Sequence, residues 1–112
     1  MTDKQKRKAA LADYRERKVE PGIFALRCKT DDGVWVGRAQ DLSKVSNRLF
    51  FTLRQDAHPH PSLQAAWNTH GADSIAFEVL EVLDPEELGL GLEREMKGRH
   101  ADWVERLGAI RI

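Results

Sequence analysis

Arg38, Lys44, Arg48 and Arg54 fall within seventeen residues that hold one acidic side chain, Asp41. Guanidinium and ammonium groups gathered in this way suit a phosphate backbone, because neutralising phosphate charge dominates nucleic-acid binding. The plain alternative is a solvated surface. The other residues able to do chemistry are sparser. His58 and His60 alternate with Pro59 and Pro61, which reads as a loop, and His100 sits on an apolar helical stripe, where a satisfied half-buried imidazole is the ordinary case. Without cysteine or carboxylate at ligand spacing, these three do not read as a metal site. Cys28 is the single cysteine, so it forms no internal disulfide and no Cys-rich zinc site. A nucleophilic thiolate needs a base and an electropositive pocket, and the sequence identifies neither, so Cys28 reads as a small buried hydrophobe. Trp67 and Trp103 could stack on bases, but their helical spacing favours core packing. Glu78 and Glu81 have opposite parity in a strand, which predicts different faces.

Composition bounds what these groups can belong to. The chain has 112 residues, 41% hydrophobic and 32% charged, with no net formal charge. That length fits one domain, and that balance argues against a disordered chain. No apolar run approaches the ~20 residues of a membrane span, and the first twenty residues are too charged for a signal peptide. A reducing cytoplasm is therefore the expected location, with no membrane partner. Charge is unevenly distributed: residues 1–55 hold 13 basic and 7 acidic side chains, and residues 56–112 hold 5 and 11. Such asymmetry is compatible with a polyanion-binding face.

The elements that must position these residues follow from periodicity and punctuation. Residues 3–18 carry good helix formers, with Leu11 and Tyr14 on one face and a basic outer face. Pro21 and Gly22 end that segment. Ile23–Cys28 and Val34–Gly37 are short apolar strands, and Asp32-Gly33 between them is a hairpin signal. Asp41 caps a helix from Leu42 to about Arg54 with Leu42, Val45, Leu49, Phe50 and Leu53 at helical spacing. Pro61 starts a second helix, with Gly71 as its stop. Ser74–Leu83 is apolar on both parities, which predicts a buried central strand. Asp84-Pro85 opens a short turn of helix, and a last helix runs from about Leu92 to Leu107 with His100 and Trp103 on its stripe. The expected architecture is α+β: a small three-stranded antiparallel sheet flanked by helices, preceded by an N-terminal helix.

Gly22-Ile23-Phe24, followed ten residues later by Trp35-Val36-Gly37, resembles the paired tripeptides of the GIY-YIG nuclease family. The order of elements agrees. His58-Pro59, Leu63-Gln64, Trp67-Asn68, Gly71 and Phe77–Glu81 are similar to a stretch of its short bacterial members, and Trp103–Leu107 to their last helix. On that resemblance residues 1–20 are an N-terminal basic helix and 21–112 a GIY-YIG-like domain. The resemblance implies metal-dependent cleavage of DNA, with a tyrosine in each tripeptide, an arginine in the next helix and a metal-binding glutamate in the last one. A phenolic oxygen can position or deprotonate water, an arginine can neutralise phosphate charge, and a carboxylate can hold a hard cation.

Every matched position departs from that pattern. The tyrosines are replaced by Phe24 and Trp35, the arginine by Val45, and the glutamate by His100; the histidine often found after the arginine is Leu49. Glu93 and Glu95 lie near His100, and a shift of register would make one of them, or His100 itself, the metal ligand. The resemblance thus implies a nuclease-like domain with a degenerate site and DNA as candidate partner, bound through Arg38, Lys44, Arg48 and Arg54. No cofactor is expected, and Mg²⁺ or Mn²⁺ would be needed only by an active enzyme. Two alternatives stand beside it: an active metal-dependent endonuclease using replacement residues, and a protein-interaction module.

Overall fold

The computed structural model describes residues 19–112. The expected N-terminal helix over 3–18 lies outside the described residues. Strand β1 (Gly22–Cys28) and strand β2 (Val34–Ala39) form the antiparallel hairpin, with Phe24 opposite Gly37 and Leu26 opposite Trp35. The turn is closed by Cys28 N–H donating to Gly33 O at 2.8 Å, and Asp32 takes the left-handed conformation at φ 62°.

Strand β3 (Ile75–Val82) pairs antiparallel with the other edge of β1. Strand β4 (Ile110–Arg111) pairs parallel with β2, giving the order β3-β1-β2-β4. The sheet is therefore four-stranded and mixed, not three-stranded and antiparallel. Two residues are too few to show any period in sequence; tertiary placement makes this strand. Gly108, left-handed at φ 59°, turns the chain after the last helix, and Ile112 N–H donates to Val36 O at 3.0 Å. Expectation also fails for β3, which is an edge: Val79 is 46% and Val82 53% exposed. The strand covered on both faces is β1, whose Ile23, Ala25 and Leu26 are fully buried.

Helix α1 (Leu42–Arg54) starts at Asp41, whose carboxylate accepts from Ser43 N–H at 3.2 Å and from the Ser43 hydroxyl at 2.7 Å. Helix α2 (Pro61–His70) follows a Pro-rich turn, short helix α3 (Pro85–Leu88) is capped by Asp84, and helix α4 (Leu92–Leu107) closes the domain. One sheet face packs Phe24, Leu26, Cys28 and Trp35 against Leu53, Leu63 and Ala66 of α1 and α2. The opposite face packs Ile23, Ala25 and Val36 against Met96, Trp103 and Leu107 of α4. Each fully buried Leu or Ile in these layers is worth about 1.5–3 kcal/mol. Two glycines permit the close approaches this needs. A Cβ on Gly37 would stand 2.5 Å from Phe24 Cζ, and one on Gly22 2.1 Å from Glu81 O. No helix among the described residues is long and apolar enough to cross a membrane.

Candidate functional site

Phe24 and Val45 meet in one open groove of about 380 Å³, with Leu49, His58, His60 and Arg38 around them. Phe24 is buried to 3% and its ring stacks on Phe77 at 5.4 Å, 22° between planes. It offers hydrocarbon where a phenol would offer an oxygen. Trp35 is also buried but does not line this groove. Its indole N–H donates to Ser62 Oγ at 2.8 Å, in the first turn of α2. Ser62 Oγ lies 3.1 Å from His60 Nδ1, and His60 N–H donates to His58 Nδ1 at 3.0 Å. The polar end of Trp35 is thus tied into the loop that forms the groove's far wall. Burial holds the His58 imidazole below the usual histidine value, and the nearby His60 charge acts in the same direction.

His100 stands beneath the neighbouring cavity, about 340 Å³, which it shares with Arg38, Lys97 and Arg111. Because a carbonyl only accepts, His100 Nε2 must carry the proton it donates to Val36 O at 2.8 Å. Its ring is 5% exposed. Burial pushes its pKa down; the Val36 hydrogen bond opposes this, and the Arg111 and Arg38 charges add to the depression. The imidazole is therefore neutral at pH 7. Lys97 and Arg111 are exposed and have no carboxylate partner within 4.0 Å among the described residues, while Arg38 makes one loose pair with Glu93 at 3.8 Å.

This donor set does not fit Mg²⁺ or Mn²⁺, which take hard oxygen ligands. Among the described residues, no Asp or Glu side chain lines the groove or the His100 cavity. Glu93 lies beside Arg38 and Met96 at a separate indentation. Glu95 is bonded to Arg99, which also binds Glu81.

Of the basic residues singled out in sequence, Arg38 lines both cavities. Lys44 and Arg48 are exposed on α1, in the row next to the Val45–Leu49 row that forms the groove wall. Arg54 falls roughly 240° further round the helix than Arg48 and leaves the groove face. Lys97 and Arg111 were missed. Lys97 lies three residues before His100 on α4, a spacing visible in sequence; Arg111 depends on β4, which is not.

No family model and no curated protein matches the chain. Among solved structures it is similar to the catalytic domain of the homing endonuclease I-TevI, at 25% identity over 82% of this chain and 97% of that one, with a TM-score of 0.70. It is similar as well to a point mutant of the catalytic domain of the intron endonuclease I-TevI, at 26% identity over 80% and 86%, with a TM-score of 0.68. The chain has a GIY-YIG-like fold, that of a nuclease catalytic domain.

Proposed function

We propose that this domain uses the nuclease fold to hold nucleic-acid phosphates without cleaving them. The observation that carries this reading is the surround of His100: Arg38, Lys97 and Arg111 converge where the resemblance would put a metal-binding glutamate. A cation-lined cavity disfavours a divalent metal and favours phosphate. Lys44 and Arg48, exposed on α1 one helical row from the groove wall, would add further phosphate contacts. In the groove beside the His100 cavity, Phe24 and Val45 stand where the family resemblance implies a tyrosine and an arginine, and neither can transfer a proton or donate to a phosphoryl oxygen; the His58, His60 and Arg38 that also line it have no carboxylate there, among the described residues, to hold a metal with them.

The test is a salt titration of the binding of labelled duplex and single-stranded DNA. Affinity should be modest at low salt, insensitive to sequence, and fall log-linearly with salt at a slope of about 0.9 per phosphate contact on duplex and about 0.7 on single strands. Arg38→Ala with Arg111→Ala should reduce the slope by roughly two units, one per contact. Absence of binding at low salt, or a slope unchanged in the double variant, would reject this surface and favour the protein-interaction alternative.

A further inference from the structure

A second cluster of reactive groups lies at the opposite end of β1 from the Gly22 motif. Cys28 is the last residue of β1, Asp31 belongs to the hairpin turn, and His70 is the last residue of α2. Their sulfur, carboxylate oxygen and imidazole nitrogen all lie within 4.8 Å of one another. His70 Nε2 and Asp31 Oδ2 are 3.1 Å apart. The other Asp31 oxygen accepts from Gly33 N–H at 3.0 Å, which fixes the carboxylate's orientation. Hydrogen bonding from Cys28 and from Gly33 N–H holds the Asp31 carboxyl below its ordinary value, with His70 acting in the same direction. The turn is anchored on both sides, by Cys28 N–H to Gly33 O and by Lys29 N–H to Ser74 O, each 2.8 Å.

The geometry points to a three-ligand Zn²⁺ site made by Cys28, Asp31 and His70, with its fourth position open to the adjoining groove. Thiolate, imidazole and carboxylate together are a zinc donor set, and the thiolate excludes Mg²⁺ as the preferred ion. Tetrahedral bonds of about 2.0–2.3 Å place ligand atoms about 3.4–3.6 Å apart. The His70–Asp31 pair, at 3.1 Å, would open by a few tenths of an ångström, and atoms as far apart as 4.8 Å would close by about 1 Å to reach that spacing. On binding, the Cys28 thiol proton leaves to solvent and the sulfur bonds the metal, so zinc takes the place that protons hold in the hydrogen-bonded cluster. Cys28 is buried, whereas Asp31 and His70 line a groove of about 500 Å³ with Trp35, Ser62 and Thr69. The inner ligand is shielded and the outer face is open, as in sites that keep one water on the metal. Zinc here would tie the hairpin turn to the end of α2. The site is separate from the Arg38–Lys97–Arg111 cavity, so it stands or falls independently of the proposed function.

The experiment uses the full chain, reduced and stripped with EDTA. Zn²⁺ titrated against a chromophoric chelator should bind at one equivalent with a dissociation constant below about 1 µM. Co²⁺ in its place should give a thiolate-to-cobalt charge-transfer band, and Zn²⁺ but not Mg²⁺ should raise the melting temperature. Asp31→Asn keeps the exposed turn's acceptor for Gly33 N–H, so it folds, and it should weaken zinc binding at least tenfold. Cys28→Ser should abolish the charge-transfer band. His58→Ala with His60→Ala should leave binding unchanged. A cobalt spectrum without the thiolate band, or zinc affinity equal in wild type, Asp31→Asn and Cys28→Ser, would overturn the site.

Discussion

An imidazole at position 100 does two things that a carboxylate there could not. It donates to Val36 O, a carbonyl that also accepts from Ile112 N–H, and it stays uncharged among three cations. Its depressed pKa has a consequence for stability. Above the ordinary histidine value of 6.5, the folded and unfolded chains both hold it neutral, and stability is at its full value. As the pH falls below 6.5 the unfolded chain takes the proton first, so it binds more protons than the native state and stability drops. His58, shifted in the same direction by burial, adds to the loss. The lowered Asp31 and Asp41 carboxyls act only near and below 3.8, in a separate window. Urea midpoints should therefore fall between about pH 7.5 and about pH 5. His100→Gln retains a donor for Val36 O and should reduce the slope over that interval; an equally steep slope in the variant would show that His100 is not its source. Gly37 carries a second expectation at this scale. A methyl there meets the Phe24 ring, so Gly37→Ala should cost about 1–3 kcal/mol in urea unfolding. Phe24→Ala in the same chain should reverse part of that cost, and a double-mutant cycle with no coupling would refute the contact.

Single elements explain which parts of the sequence could be read in advance. The hairpin, the Asp41 cap, the Pro61 start of α2 and the full span of α4 were legible because each is announced by a local signal: Asp-Gly, a capping side chain, a proline or a helical stripe. What depended on long-range contact was not. The run Ile75–Val82 is as apolar as a central strand, yet it forms an edge because β1 takes the middle of the sheet. A bulge in its pairing with β1, between the partners of Ile23 and Phe24, breaks the two-residue period. Glu78 then stands opposite Ala25 and Glu81 opposite Ile23, so both glutamates share the α4 face that alternation would have denied one of them. That is why Glu81 reaches Arg99 and accepts from the Trp103 indole N–H at 3.0 Å. At the candidate site, Phe24, Val45 and His100 were singled out by resemblance to the family pattern. Arg111 was not, since a two-residue strand leaves no period. Helix α1 supplies the prediction at this scale. Lys44→Ala with Arg48→Ala, on the row beside the groove, should lower the salt slope of DNA binding by roughly one unit per lost contact, whereas Arg54→Ala should leave it within error. Equal effects from the two variants would mean that charge acts diffusely rather than through that row.

For the whole molecule, the issue is whether a nuclease fold with this site still hydrolyses DNA. A positioned acid–base group is worth about 10²–10⁴ in rate, and an electrostatic donor aimed at the transition state about 10²–10³. On the proposed reading, Phe24, Trp35, Val45 and His100 occupy the positions where the family resemblance implies two phenols, one arginine and one carboxylate. Such losses do not add, because groups that act as a unit fail together once one or two are gone. Plasmid incubated with the purified protein in Mg²⁺ or Mn²⁺ should therefore show no nicking above a buffer control. Phe24→Tyr alone should restore nothing. The fourfold variant Phe24→Tyr, Trp35→Tyr, Val45→Arg, His100→Glu meets a structural obstacle as well. A glutamate at position 100 would sit where burial excludes water and would face the Val36 carbonyl oxygen as a second acceptor. It would gain Arg38, Lys97 and Arg111 as counter-charges, so the variant should fold with reduced stability yet bind DNA with a smaller salt slope than the parent. The control is His100→Ala with Glu93→Ala and Glu95→Ala. Nicking by the unmodified protein that this triple variant abolishes would establish an active enzyme built on replacement ligands. It would also show that the cations around His100 serve a transition state rather than a resting phosphate.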